Sequence, residues 1–377
     1  MSNIGSYIAI LVVALVATMA INRPARVVAL KVGYTAQPDE RRVHTKVTPY
    51  GGGAAMFIGL CIASVIALFF KPLHAVITSS REFVGVILAA GVIFVVGLVD
   101  DFRDMSAPAK VAGEVLAASV LYFSGDTMEY FKLPFAGFIV LSSSILPLIT
   151  AVWVFALCNS INLIDGLDGL AGGIVAIASA TLCIYGLRLE QLGFLPSTSV
   201  GPLIAALTCG ICLGFLPDNF HPARLFMGDA GALMLGLLMS ASTMVIGGRT
   251  PPTSGVTFFF FAPLFIPAFI LGVPLIDAVM AFVRRTASGS GFHTADKNHI
   301  HHRLMRLGHG HRRTVAILWL WTALLSAFVL FPLFFPKINV FIPFGVALML
   351  IALYTWFHPG LRQSSEASDE PAVSIRE

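Results

Sequence analysis

Carboxylates recur in three short segments of the chain. Asp100 and Asp101 are adjacent, Asp165 and Asp168 are three residues apart, and Asp229 lies at the start of an apolar run. If these side chains converge, they cannot all stay ionised without a cation, because like charges at close range repel strongly in a low dielectric. Oxygen ligands favour Mg²⁺ or Mn²⁺ over zinc. The pattern therefore predicts a divalent-metal site.

A second group of polar and aromatic side chains could bind substrate. Its members are Phe226, His299, His301, His302 and Arg303. Mixed His and Arg side chains suit phosphate oxygens better than zinc, which neighbouring cations repel. Phe226 could stack on a nucleobase, and the glycines at 51–53 could let backbone approach a phosphate. Together with the acidic group, they predict a reaction between a water-soluble phosphorylated donor and a lipid phosphate at a membrane surface.

Each cluster also has a structural interpretation. Asp100-Asp101 alone fits a solvated helix end, Asp229 fits a helix N-terminal cap, and the segment 159–170 fits an Asp-Gly turn. The basic loop could anchor to anionic lipid headgroups, and a lone Phe226 is more often an interface anchor. The functional interpretation is favoured because every cluster can be placed on one side of a membrane.

The composition is that of an integral membrane protein. Of 377 residues, 57% are hydrophobic and only 12% are charged, and the mean hydropathy is +0.86. Soluble domains carry about twice that charged fraction. The net charge of +4 is small, and its basic residues are concentrated in two loops. That distribution favours membrane orientation over nucleic-acid binding.

Eleven apolar runs are close to the roughly 20 residues that cross a bilayer as a helix. They lie near 4–22, 51–70, 82–99, 109–124, 138–157, 169–187, 200–216, 229–247, 256–283, 315–334 and 338–357. The predicted fold is therefore an all-α polytopic membrane protein, with a single transmembrane catalytic domain over 1–361. The polar residues 362–377 are predicted to form a disordered cytoplasmic tail.

The orientation follows from the basic residues. The first and ninth loops hold most of them: Arg23, Arg26, Lys31, Arg41, Arg42 and Lys46, then Arg284, Arg285, Lys297, Arg303, Arg306, Arg312 and Arg313. Short loops rich in Lys and Arg stay in the cytoplasm. The N-terminus is therefore expected outside, the C-terminus inside, and the site on the cytoplasmic face of the plasma membrane.

Five motifs in combination resemble those of the polyprenyl-phosphate N-acetylhexosamine-1-phosphate transferases, from about residue 38 to about residue 315. They are Arg42-Val-His44, Asp100-Asp101, Asn159-x-x-Asn162-x-x-Asp165-Gly-x-Asp168-Gly, Phe226-Met-Gly-Asp229 and His299-Ile-His-His302. The resemblance implies the same eleven-helix topology. It implies transfer of GlcNAc-1-phosphate from UDP-GlcNAc to undecaprenyl or decaprenyl phosphate, with release of UMP. The implied cofactor is Mg²⁺, with Mn²⁺ as an alternative.

The resemblance also implies roles for individual residues. The metal ligands would be Asn162 and Asp229. The catalytic group would be Asp165 and Asp168 with Asp100 and Asp101, which resemble an acidic pair that activates or positions the lipid phosphate. The substrate-binding group would be His44, Lys110, Asn159, Phe226, His299, His301, His302 and Arg303. Within it, Phe226 resembles the residue that stacks on uracil.

Two alternatives remain at this level. The pattern Asp296-x-x-His-Ile-His-His-Arg303 is closer to the GlcNAc-1-phosphate transferases than to the phospho-MurNAc-pentapeptide transferase, which has the same chemistry. A polytopic transporter fits less well, because the polar residues gather on one side and not at the midplane. The expected partners are UDP-GlcNAc, polyprenyl phosphate and membrane lipid, without nucleic acid, and a homodimer is compatible with the sequence.

Overall fold

The computed structural model describes residues 4–36, 47–133, 137–247, 310–335, 338 and 341–356. The helices within these residues are α1 Ile4–Lys31, α2 Gly52–Ala67, α3 Lys71–Ser79, α4 Glu82–Arg103, α5 Ala107–Ser124, α6 Leu146–Ile164, α7 Leu170–Gln191, α8 Gly201–Asn219, α9 Gly228–Gly247, α10 Gly310–Phe334 and α11 Phe341–Trp356. Two antiparallel strand pairs accompany them: β1 Thr35–Ala36 with β2 Thr48–Pro49, and β3 Tyr130–Leu133 with β4 Gly137–Val140.

Among the described helices, seven are long and apolar enough to cross a membrane: α1, α4, α6, α7, α8, α9 and α10. Helices α2 and α3 together form an eighth candidate, bent by 106° between them. The predicted class, an all-α polytopic membrane protein, is confirmed.

Ten of the eleven predicted runs coincide with helices, and the ninth, 256–283, lies outside the described residues. Helix α5 matches the fourth run, although it is not among the seven candidate spans. The predicted start of the fifth run is wrong, because 137–140 pairs as strand β4 and the helix begins only at Leu146. Pro147 follows at once, and proline is well suited to the first turn of a helix.

Helix α9 is the centre of the bundle. Nearly all its residues are buried, which is why its sequence is apolar all round and not on one face only. Three neighbours pack against it closely. A Cβ atom at Gly97 of α4 would lie 2.5 Å from Cα of Ala230, and one at Gly53 of α2 would lie 2.6 Å from N of Gly231. Gly236 meets the backbone of α6 at Cys158. Glycine therefore lets these helices cross α9 at backbone contact.

The structure corrects where the polar motifs lie relative to the helices. The segment 159–170 was expected in a loop, but α6 continues to Ile164 and carries Asn159 and Asn162 in its last two turns. The predicted run 82–99 stops before Asp100 and Asp101, but α4 continues and carries both in its last turn. The helices can continue because these side chains find polar partners, described below, and are not left unpaired in an apolar environment.

Candidate active site

The ammonium group of Lys110, in the first turn of α5, joins two carboxylates from different helices. Its Nζ atom donates to Oδ2 of Asp100 at 2.7 Å and also contacts Oδ2 of Asp229. Oδ1 of Asp100 accepts the backbone N–H of Met105 at 2.7 Å. The side chain of Asp229 remains 31% exposed, so this centre is reachable from outside the bundle. Lys110 thus holds the end of α4 and the start of α9 together.

Asn162 approaches the same carboxylate from α6. Its Nδ2 donates to Oδ2 of Asp229 at 3.3 Å. The amide donors face the carboxylate, which leaves Oδ1 of Asn162 as a free acceptor, since it has no hydrogen bond from any other described residue. A neutral amide oxygen next to a carboxylate is a suitable pair of ligands for Mg²⁺.

Asp101 caps the N-terminus of α9 from outside the helix. Its Oδ1 accepts the N–H of Asp229 at 2.8 Å, and its Oδ2 accepts the N–H of Ala230 at 3.1 Å. Gly228 precedes these donors with φ 67°, and a Cβ atom there would lie 2.5 Å from Oδ2 of Asp101. The close approach of the carboxylate therefore requires glycine at position 228. Asp229 begins an apolar helix, as predicted, but the side chain that satisfies its first N–H groups is that of Asp101.

The third donor to Asp101 is Tyr34, which the sequence interpretation missed. Its hydroxyl donates to Oδ2 at 2.6 Å. The ring stacks on Phe102 at a centroid distance of 4.3 Å and lies 5.3 Å from Tyr50. Burial, and then the charge of Asp101, raise the pKa of the Tyr34 hydroxyl above its ordinary range. The hydroxyl therefore keeps its proton and remains a donor. No sequence motif marks this residue, because its partner lies 67 positions away.

The glycines at 51–53 hold the segment that precedes Asp229. The N–H groups of Gly51 and Gly52 donate to the carbonyl of Phe226 at 3.2 and 2.9 Å, and that of Gly53 donates to the carbonyl of Met227 at 3.1 Å. The expectation that this backbone approaches a phosphate is not supported, because its N–H groups are already used. Phe226 is partly buried, with its ring centroid 6.1 Å from that of Tyr50.

Glu114 is a second residue that the sequence interpretation missed. It is almost fully buried in α5, one turn after Lys110. Nδ2 of Asn159 donates to its Oε1 at 2.9 Å and to its Oε2 at 3.1 Å, and also to the carbonyl of Phe155. The sequence does carry a signal for Glu114, because it places a carboxylate inside a predicted span. A charge there is costly to desolvate and usually has a partner.

The two aspartates of the predicted Asp-Gly-x-Asp-Gly motif face different surroundings. Asp165 is the C-cap of α6. Burial, followed by the charges of Asp229, Asp101 and Asp168, raises the pKa of its carboxyl well above the ordinary value. Asp165 therefore belongs electrostatically to the cluster around Asp229.

Asp168 instead joins a separate histidine cluster. Its Oδ2 is hydrogen-bonded to Nδ1 of His221 at 2.8 Å and accepts the N–H of Ala223 at 3.0 Å. The ring of His221 stacks on that of His311, at the start of α10, with centroids 4.1 Å apart. Asp168, His221 and His311 offer ligand atoms that all lie within 4.8 Å of one another.

The other predicted substrate-binding residues, His44, His299, His301, His302 and Arg303, lie outside the described residues.

The donor set around Asp229 fits a magnesium ion. Four carboxylates, those of Asp100, Asp101, Asp165 and Asp229, interact with one another, while Lys110 supplies the ammonium. This negative excess is disfavoured without a further cation. The candidate ligand atoms are carboxylate oxygens and the amide oxygen of Asn162, and oxygen ligands suit Mg²⁺ and Mn²⁺.

Comparison with known proteins points to one family. Residues 83–247 match the family described as glycosyl transferase family 4. A decaprenyl-phosphate N-acetylglucosaminephosphotransferase of Mycolicibacterium smegmatis is 35% identical over 92% of this chain and 86% of its own length. A probable undecaprenyl-phosphate N-acetylglucosaminyl 1-phosphate transferase of Bacillus subtilis is 36% identical over 82% and 80%. The Escherichia coli undecaprenyl-phosphate alpha-N-acetylglucosaminyl 1-phosphate transferase is 29% identical over 87% and 83%.

The matched segment contains Asp100, Lys110, Asn162 and Asp229, which the fold brings together at one end of the bundle. The relatives extend the similarity over most of the chain, beyond the apolar composition that any membrane protein shares. This chain therefore belongs to glycosyl transferase family 4, the family of membrane-embedded polyprenyl-phosphate N-acetylhexosamine-1-phosphate transferases.

Proposed function

We propose that the protein transfers GlcNAc-1-phosphate from UDP-GlcNAc to undecaprenyl or decaprenyl phosphate, as the first membrane step of an envelope polysaccharide. The observation that carries this proposal is the meeting of Asp229 with Lys110 and Asn162 at the end of three helices. The names of the relatives favour GlcNAc-1-phosphate transfer over MurNAc-pentapeptide transfer or transport.

In the proposed reaction, an oxygen of the lipid phosphate attacks the β-phosphorus of UDP-GlcNAc. The bond between that phosphorus and the oxygen bridging to the α-phosphate breaks, and UMP leaves. The sugar–oxygen bond stays intact. Asn162 and Asp229 would hold Mg²⁺, or Mn²⁺ in its place. When bound, the metal ion supplies positive charge that neutralises the diphosphate during transfer.

The protein's own residues provide position and charge. Lys110 places an ammonium group beside Asp100 and Asp229, where it can also meet a phosphate oxygen. Asp101, with three donors on its two oxygens, holds the first turn of α9 and so fixes Asp229. A phosphate monoester has a second pKa near 6, so the lipid phosphate is largely ionised at neutral pH and needs little help from a general base.

The proposed placement is in the plasma membrane, with eleven spans, the N-terminus outside, the C-terminus inside and the site on the cytoplasmic face. The C-terminal end of α1 carries Arg23, Arg26 and Lys31 and leads directly to Tyr34, which bonds Asp101. The basic residues of α1 and the acidic cluster therefore share one end of the bundle, which agrees with retention of basic segments in the cytoplasm.

The proposal is tested by isotope exchange on the purified full-length protein in detergent. Radiolabelled UMP should enter UDP-GlcNAc only when both polyprenyl phosphate and Mg²⁺ are present. Exchange without the lipid phosphate would contradict the proposed acceptor. Exchange into UDP-MurNAc-pentapeptide and not into UDP-GlcNAc would favour the alternative donor.

A further inference from the structure

The histidine cluster around Asp168 opens onto a pocket that the proposed reaction does not use. The pocket has a volume of about 410 Å³ and is lined by His221, Pro222, Gly310, His311, Arg312 and Arg313. It lies where the loop between α8 and α9 meets the first turn of α10. Gly310 begins that helix, so the positive end of its dipole also faces this region.

The pocket carries an excess of positive charge. The one carboxylate of the cluster, Asp168, is almost fully buried behind His221 and already accepts the N–H of Ala223. Arg312 donates to the backbone carbonyl of His221 at 3.0 Å. Within the described part of the chain, neither Arg312 nor Arg313 has a carboxylate at ion-pair distance, so no described residue compensates either guanidinium charge.

This charge decides between a cation and an anion as ligand. Asp168, His221 and His311 have the composition of a zinc site. However, Nδ1 of His221 and Oδ2 of Asp168 are only 2.8 Å apart, which is a hydrogen bond. Two ligands on a tetrahedral zinc with bonds of about 2.0–2.1 Å would be roughly 3.3 Å apart. The two arginines also oppose a second cation. An anion is the better occupant.

We propose that this pocket binds a phosphate group through Arg312, Arg313 and His221. Guanidinium groups match phosphate oxygens in shape and charge. Asp168 accepts from Nδ1 of His221, so Nε2 is the ring atom left for the ligand, and a proton on it would let the ring donate to a phosphate oxygen. The phosphate comes either from the headgroup of an anionic phospholipid or from a soluble diphosphate.

The test uses the full-length protein in phosphatidylcholine nanodiscs with EDTA, which removes magnesium-dependent binding at the Asp229 centre. The first probe is inorganic pyrophosphate, whose binding is measured by calorimetry and by the rise in melting temperature. The second probe is phosphatidylglycerol, whose fraction in the nanodisc is increased while the melting temperature of the protein is measured. The variants are Arg313→Ala, which breaks no side-chain hydrogen bond within the described residues, the double variant Arg312→Ala/Arg313→Ala, and its Lys/Lys counterpart.

The matched control is Arg26→Ala, an exposed cation on α1 that does not line the pocket. The double Ala variant should weaken pyrophosphate binding at least tenfold if the source is a soluble diphosphate. It should abolish the stabilisation by phosphatidylglycerol, with pyrophosphate binding unchanged, if the source is a lipid headgroup. In either case Arg313→Ala should give a smaller effect of the same kind, and the Lys/Lys variant should recover part of the loss.

The proposal is overturned if neither probe distinguishes the double variant from Arg26→Ala, or if the wild-type protein responds to neither probe. Stoichiometric zinc, measured in protein purified without chelator and lost on His221→Ala, would also overturn it. Failure of the UMP exchange assay is a separate outcome, because it concerns the Asp229 centre and leaves the binding of pyrophosphate and lipid to this pocket to be measured as described.

Discussion

Asp101 accepts the backbone N–H of Asp229 at 2.8 Å, so the two aspartates have different roles: the side chain of Asp101 positions the residue that carries the second carboxylate. The first fixes the start of α9, and the second presents its carboxylate to Lys110 and Asn162. The adjacent pair Asp100-Asp101 is likewise divided: Asp100 pairs with Lys110, whereas Asp101 bonds Tyr34 and the α9 backbone.

Tyr34→Phe removes one donor to Asp101 and retains the ring that stacks on Phe102. We expect a loss of about 1–3 kcal/mol in the free energy of unfolding, since a buried carboxylate loses a hydrogen bond. The position of Asp229 should loosen as well, so the Mg²⁺ concentration for half-maximal exchange should rise. Chemical denaturation and magnesium titration of UMP exchange measure the two effects. A stable variant with normal magnesium dependence would show that Asp101 needs no third donor.

Lys110→Met should separate metal binding from turnover. Without its ammonium group, Asp100 and Asp229 repel each other, and a divalent cation binds more tightly because it no longer competes with Lys110. Exchange activity should nevertheless fall at least tenfold, since a charge-assisted contact is worth about 1.5–3 kcal/mol. Mn²⁺ binding by electron paramagnetic resonance gives the affinity. Weaker metal binding in this variant would mean that Lys110 organises the ligands.

Asp229→Asn should weaken the binding of Mg²⁺, whereas Lys110→Met should strengthen it. The amide retains the size of the side chain but removes the charge that attracts Mg²⁺, so a higher magnesium concentration should restore part of the activity. Asp104→Asn is the matched control, because this exposed aspartate is the C-cap of α4, and Asn tolerates its left-handed backbone. A defect in Asp229→Asn that no magnesium concentration changes would argue against direct ligation.

Asp165 should make the metal-free protein less stable as pH rises. Its pKa is raised in the folded state by burial and by neighbouring carboxylates, so the folded protein holds a proton that the unfolded chain has lost. Stability therefore falls between the unfolded value of about 3.9 and the raised folded value. Asp165→Asn should flatten the dependence of melting temperature on pH in EDTA. An unchanged slope would show that Asp165 is ionised in the fold.

The sequence predicted the class of the protein and the start of α9 well, because a long apolar run followed by a carboxylate has few structural solutions. It placed Asp100, Asp101, Asn159 and Asn162 in loops, because polarity within an apolar run resembles the end of a span. That rule fails where a polar side chain has a buried partner, as Asn159 has in Glu114. Such partners lie tens of residues away, and no local pattern identifies them.

The roles predicted for His44, Phe226 and the histidines of 299–302 depend on a bound donor and stay predictions. Tyr34 illustrates why the remaining geometry was inaccessible from sequence. An isolated tyrosine after a basic helix end carries no signature, and its function is given only by the Asp101 carboxylate that the fold brings to it. The pairing of Asp168 with His221 is similar, since the two positions are 53 residues apart.

Gly236 lies about two turns along α9 from Asp229, where the absence of a side chain lets the backbone of α6 come into contact at Cys158. Cys158 in turn lies about one turn before Asn162. The gap between the two candidate ligands is therefore set by a crossing point inside the apolar bundle. A larger residue at this crossing should consequently change the spacing of Asn162 and Asp229 from the hydrocarbon side, while both side chains stay the same, and so alter the preference between the Mg²⁺ and the larger Mn²⁺ that we propose they bind.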